Sequence, residues 1–213
     1  MHWLSNLFRS SVGRKQLMAL TGLGLSGFLI VHLSGNLLLF AGDGGVKFNA
    51  YAAWLHKQPW LIPAEIGLVG MFVLHIYLAF SLTRQNRNAR PTPYYYKDGS
   101  DASLGSRTMI LSGLVVFLFL VIHLVNFKFG DASGPGGKYA LVVSTFQDPL
   151  YAFIYIIAMI VLTLHLSHGI QSAFQTFGIN HPVHTPNIQK LCLLLALALG
   201  AGFTSMPLWF LIS

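Results

Sequence analysis

Five long apolar stretches separated by short polar segments set the pattern of the chain. They cover residues 17–40, 61–82, 108–127, 149–174 and 191–212. Each reaches the ~20 residues that a helix needs to cross a hydrocarbon layer. The segments between them, 41–60, 84–107, 128–148 and 175–190, carry the chain breakers, among them Gly42, Gly44, Gly45, Pro59, Pro91, Pro93, the run Gly134-Pro135-Gly136-Gly137, and Gly178, Pro182 and Pro186. These read as loops. No polar segment is long enough for a soluble domain, so the pattern predicts an all-α membrane protein: one domain over 1–213, built as a five-transmembrane-helix bundle.

Composition strengthens this reading. Of the 213 residues 54% are hydrophobic and 9% charged, against roughly 25% charged in an average soluble domain. The single cysteine, Cys192, excludes an internal disulfide or a Cys-ligated cluster within the chain and reads as packing. The first apolar stretch follows Arg14 and Lys15 as a signal peptide would. It is too long for that and lacks a small-residue cleavage site, so it is expected to stay as a helix.

The net charge of +7 changes the picture only through its distribution. The basic residues flank the apolar stretches and form no surface stripe for nucleic acid. Nine lie on one side of the expected bundle (Arg9, Arg14, Lys15, Arg84, Arg87, Arg90, Lys97, Arg107, Lys190) and four on the other (Lys47, Lys57, Lys128, Lys138). The positive-inside rule then predicts a cytoplasmic N-terminus and an outside C-terminus.

Candidate chemistry rests on histidines inside the spans: His32 in the first, His75 in the second, His123 in the third, and His165 with His168 in the fourth. An ionisable side chain at that depth is costly and is functional by default. From the basic or polar marker at the end of each span, His32 lies ~25 Å from Lys15, His123 ~24 Å from Arg107, His75 ~13 Å from Arg84 and His165 ~15 Å from Gln175. The histidines therefore sort into two levels about 10 Å apart. Two imidazoles at one depth on facing helices are what a bis-histidine b-type haem requires, so two levels predict two haems.

For any single intramembrane histidine, a hydrogen bond to a neighbouring helix competes with ligation; the matched pairs favour haem. A metal-transport site is the next competitor, but Glu65 is the one carboxylate within the spans. Gly27, Gly35, Gly70, Gly113 and Gly169 lie near the histidines and would leave room for porphyrin, with close helix packing as the competing explanation. Arg14, Lys15, Arg84, Arg87 and Arg107 gather at the basic boundary, where they could pair with haem propionates or with lipid headgroups. His56 and Glu65 stand near the other level, where they could handle protons for a quinone or serve as loop and cap residues.

At these residues the chain resembles the succinate dehydrogenase cytochrome b family, the single-chain di-haem membrane anchor of Complex II. The resemblance is carried by GRKQLMALTGLGLSGFLIVHLSGNLLLFAG (residues 13–42), PAEIGLVGMFVLH ending at His75, IHLVNFKF around His123 and LHLSHGIQSAFQTFGINHP (residues 164–182). It implies that His32 and His123 ligate a haem distal to the catalytic subunits, and His75 and His165 a proximal one. It further implies two haem b cofactors, a flavoprotein subunit with FAD and an iron–sulfur subunit as partners, a membrane quinone (menaquinone) as electron acceptor, and a bacterial inner membrane location.

The chain itself would not act on succinate, and whether the complex oxidises succinate or reduces fumarate stays open. His168, ~60° around the helix from His165, would contact a propionate or quinone, or make a structural hydrogen bond. Some fumarate reductases of the family carry a glutamate two residues before the fourth ligand; here that position is Thr163. Related alternatives are the di-haem cytochrome b of a hydrogenase or another quinone-linked reductase; unrelated ones are a transporter or a haem-free anchor.

Overall fold

The computed structural model describes Phe8, residues 10–89 and residues 104–213, the side chains of 104–107 excepted. Arg9, Arg90, Pro91, Pro93, Lys97 and the side chain of Arg107 lie outside the described residues. Seven α-helices are found among the described residues: α1 Ser11–Asn36, α2 Val46–His56, α3 Leu61–Asn88, α4 Leu104–His123, α5 Gly137–Gln147, α6 Pro149–Thr176 and α7 Thr185–Ile212. Five segments are long and apolar enough to cross a membrane: Ser11–Phe40, Leu61–Asn88, Thr108–Lys128, Pro149–Thr176 and Thr185–Ile212.

Local chemistry accounts for the ends. Ser10 caps α1 through a hydroxyl that accepts from the Gly13 amide at 3.0 Å. Asp148 caps α6 by accepting from the Leu150 amide at 2.8 Å, with Pro149 at the first helical position. The helices α1, α3 and α7 run about six residues past the apolar stretches predicted for them, reaching Ser11, Asn88 and Thr185. A charged residue ends a hydropathy run but does not end a helix, since Lys, Arg and Gln are good helix formers.

Two segments expected to be loops are partly helical, which corrects the reading of 41–60 and 128–148. Helices α2 and α5 lie within them, each preceded by a glycine with positive φ, Gly45 at 90° and Gly136 at 89°. Those glycines act as left-handed entry points, which only a residue without Cβ adopts freely. Asn49 on α2 joins the two, its amide donating to the Gly136 carbonyl at 2.8 Å and its oxygen accepting from the Tyr139 amide at 3.0 Å. The pair covers one end of the bundle, here termed the capped end. The opposite end, which carries Arg14, Lys15, Arg84 and Arg87, is the basic end.

The first four spans form a square. Its packed sides are α1 with α3, α1 with α6, and α4 with α6; α3 and α4 touch least, and α7 packs along α6. Spans one and three, like spans two and four, face each other as diagonals without extensive direct packing. Ala158, Met159, Leu162, Leu166, Cys192, Ala196 and Leu199 are buried between α6 and α7. At the capped end Leu39, Val142, Phe146, Tyr155, Met206 and Phe210 form a second core. By contrast Ile66, Val69, Val73, Tyr77 and Phe80 of α3 are exposed, the arrangement expected of a face turned to lipid.

Candidate functional site: two histidine pairs across the bundle

The diagonals of the square carry the intramembrane histidines. His32 on α1 and His123 at the end of α4 meet with ring centroids 5.7 Å apart and planes nearly perpendicular, at 88°. His75 on α3 and His165 on α6 occupy the other diagonal. His168, one turn on from His165, is partly buried.

The two pairs have different surroundings. At the capped end the walls are aromatic. Phe28 stacks on His32 at 5.3 Å, Phe203 lies 5.8 Å from it, and Phe119, Phe127 and Tyr155 surround His123 at 5.8, 5.3 and 6.1 Å. The Nδ1 atom of His123 is buried and without a hydrogen-bond partner among the described residues. Just past His123 the helix widens into a π turn over Leu124–Lys128, a distortion frequent at functional sites. Asn126 on that turn donates to the Tyr155 hydroxyl at 3.3 Å.

Nearer the basic end the pair is held by hydroxyls. Thr21 Oγ1 of α1 lies 3.1 Å from His75 Nδ1, and Ser112 Oγ of α4 lies 3.0 Å from His165 Nδ1. The residue after each hydroxyl is glycine. A Cβ at Gly22 would come 3.3 Å from His75 Cε1, and a Cβ at Gly113 would come 3.3 Å from His165 Cε1. Thr21, Ser112 and Gly22 are not among the residues that hydropathy and histidine depth single out. A signal was present, because Thr21-Gly22 precedes His32 by eleven residues and Ser112-Gly113 precedes His123 by the same interval.

The glycine expectation needs correction in detail. Gly113 faces His165 rather than making room beside His123, and Gly35 is covered by the Tyr51 ring, 2.7 Å from where its Cβ would sit. Gly27 and Gly70 have nothing within 4 Å of that position, and Gly169 meets only Met109 Cε at 3.9 Å.

Among the described basic residues at the basic end, Arg14 is the one drawn inward. Its Nη1 donates to Ser81 Oγ at 2.8 Å, and its buried Nε has no partner among the described residues. Lys15, Arg84 and Arg87 are exposed. At the other end Glu65 forms an ion pair with Lys128 across the seam between α3 and α4, and His56 is exposed on α2. Two opposed imidazoles in a dry interior can each offer one nitrogen to a metal held between them. Among the described residues no group of three or more His, Cys, Asp or Glu could hold an ion alone. A centre at either pair would have to bring its remaining ligands with it.

This fold and site define a helical membrane protein with paired intramembrane imidazoles. The family of succinate dehydrogenase/fumarate reductase transmembrane subunits matches residues 83–204, more than half of the chain, and the protein belongs to it. The succinate dehydrogenase cytochrome b558 subunit of Bacillus subtilis (strain 168) is 24% identical over 169 residues, 77% of each chain. No solved structure matches. The chain is thus a multi-pass protein of the bacterial inner membrane and a subunit of an oxidoreductase complex.

Proposed function

We propose that the chain is the cytochrome b anchor of a succinate:quinone oxidoreductase and holds two b-type haems, one per histidine pair. The observation that carries this reading is the diagonal placement: each pair sits on two helices at opposite corners without extensive direct packing, and among the described residues no third His, Cys, Asp or Glu joins either pair to hold an ion. A haem would bring with it the remaining ligands that such a site lacks. In this reading His75 and His165 would hold one haem nearer the basic end, and His32 and His123 the other nearer the capped end. Bound haem supplies one-electron carriage from the iron–sulfur partner subunit toward a membrane quinone.

The chain's own residues do the rest. Phe28, Phe119, Phe127 and Phe203 keep water from the capped-end pair, so its imidazoles stay neutral and able to ligate. Arg14, with an unpartnered buried Nε, would hold a propionate carboxylate through a charge-assisted hydrogen bond. Glu65 and His56 stand at the capped end, where we place proton exchange with the quinone. The basic asymmetry supports a cytoplasmic basic end, against which the iron–sulfur and flavoprotein subunits would dock.

Purification from native membranes tests the reading. The expected result is two non-covalent b haems per chain by pyridine haemochrome assay, with co-purifying flavoprotein and iron–sulfur subunits. One haem or none, or a nickel enzyme as partner, overturns it. For orientation, a cysteine placed at Gly134 should label from outside in intact cells, and labelling of one placed at Ser100 from that side inverts the topology.

A further inference from the structure

We propose that Thr21 and Ser112 are positioning residues that fix the tautomer of His75 and His165 and raise the basicity of both ligands, a control the capped-end pair lacks. This rests on the haem-ligand reading above. Proton accounting carries the argument. Thr21 Oγ1 lies 2.9 Å from the Leu17 carbonyl and 3.0 Å from the Met18 carbonyl. A carbonyl can only accept, so the single hydroxyl proton goes to the backbone. With that proton on the backbone, Thr21 turns a lone pair toward His75, and the hydrogen between them sits on Nδ1, which also finds the Met18 backbone as a partner. Ser112 repeats this, with its hydroxyl 3.1 Å from the Met109 carbonyl and 3.0 Å from His165 Nδ1.

An imidazole protonated at Nδ1 has a bare Nε2, and that is the nitrogen left to bind iron. Both hydroxyls are shielded, with Thr21 5% and Ser112 7% exposed. No water is needed to complete either chain of bonds, and in a dry setting each is held more strongly. The glycines that follow let the rings approach, since a Cβ at 22 or 113 would stand 3.3 Å from the ring carbon. The arrangement occurs twice, with different hydroxyl residues on different helices, and both copies serve the same diagonal.

Among the described residues the capped-end pair shows no such acceptor. His123 Nδ1 is unpartnered. Beside His32 the polar neighbour is Asn36, whose amide nitrogen already donates to the His32 carbonyl at 2.7 Å and lies 3.4 Å from both ring nitrogens. An amide N–H cannot accept an imidazole proton.

A hydrogen bond from the far nitrogen makes a metal-bound imidazole a stronger donor, which stabilises the oxidised metal. Removing it should raise the midpoint potential of that centre alone. The test uses the assembled complex, with optical redox titration and low-temperature EPR. Thr21→Val and Ser112→Ala should each keep two haems, raise the potential of the haem that His75→Ala removes, and leave the other unmoved. Thr21→Ser and Ser112→Thr should stay near wild type, and the double variant should shift further than either single one.

An unmoved potential, equal shifts at both haems, or a Thr21→Ser shift as large as that of Thr21→Val overturns the proposal while leaving the haem reading intact. A wild-type complex without that haem overturns both. Should Thr21→Val fail to assemble, Ser112→Ala removes a single oxygen and decides the matter alone.

Discussion

Ring nitrogens bonded to hydroxyls hold His75 and His165, while rings packed on rings hold His32 and His123. The first arrangement specifies direction: a bond to Nδ1 leaves one orientation for the imidazole plane and one nitrogen free. The second specifies volume: Phe28, Phe119, Phe127, Tyr155 and Phe203 fill space and exclude water, but leave the identity of the protonated nitrogen to whatever lies between the rings. A membrane interior permits both, because burial makes a satisfied polar contact directional and an aromatic wall dry. The two diagonals are therefore expected to respond to different substitutions.

The largest effect comes from removing ligands. On the two-haem proposal, His75→Ala and His165→Ala should each remove one haem per chain and give the same difference spectrum. His32→Ala and His123→Ala should give the complementary spectrum. A crossed pattern, with His75→Ala matching His32→Ala, breaks the comparison at its root.

Next in size is crowding the hydroxyl-bonded rings. Gly22→Ala or Gly113→Ala puts a methyl at 3.3 Å from an imidazole carbon, an overpacking worth ~1–3 kcal/mol where the ring cannot yield. Thermal unfolding followed by haem absorbance should show it for both variants. Gly67→Ala, exposed on α3 with nothing within 4 Å of the added Cβ, should not destabilise the protein. Equal destabilisation by all three would mean that ring contact is not what distinguishes Gly22 and Gly113.

On the aromatic side, Tyr155→Phe removes the acceptor of the Asn126 amide and leaves a partly buried donor without it. The cost should be about 1 kcal/mol, with a spectral change confined to the His32–His123 centre. A change confined to the other centre would show that the two ends communicate. Smallest of all is the Glu65–Lys128 pair, whose side chains are 40% and 41% exposed. Glu65→Gln should change stability by less than ~1 kcal/mol, and raising salt should erase the difference. A larger, salt-resistant loss would mean that the loose seam between α3 and α4 depends on this contact.

Much of this architecture is legible in the residue order. Spans are readable because lipid demands uninterrupted apolar runs, and histidines stand out within them because lipid punishes ionisable groups. The helix extensions to Ser11 and Asn88 are not readable that way, since hydropathy reports the solvent and not the backbone. Helices α2 and α5 were hidden because Gly45 and Gly136, ordinarily breakers, serve here as helix entries. Thr21 and Ser112 escaped for another reason. A hydroxyl bonded to its own preceding turn is commonplace in helices, and only the position of a second helix turns its spare lone pair toward an imidazole. Among the glycines the sequence marks candidates, but which face each presents depends on helix rotation, so Gly113 points at His165 and Gly35 at Tyr51.

The contact of α6 with α7 at Thr163 has a genetic consequence. The Thr163 hydroxyl donates to the Met159 carbonyl at 2.7 Å, and a Cβ at Gly200 would stand 1.8 Å from that same oxygen. Positions 163 and 200 thus share one volume. A loss-of-assembly allele such as Gly200→Ala should be rescued by second-site changes that shrink residue 163, Thr163→Ala foremost, while substitutions elsewhere on α6 fail to suppress it. Across relatives, the two sites should vary as a linked pair, large against small.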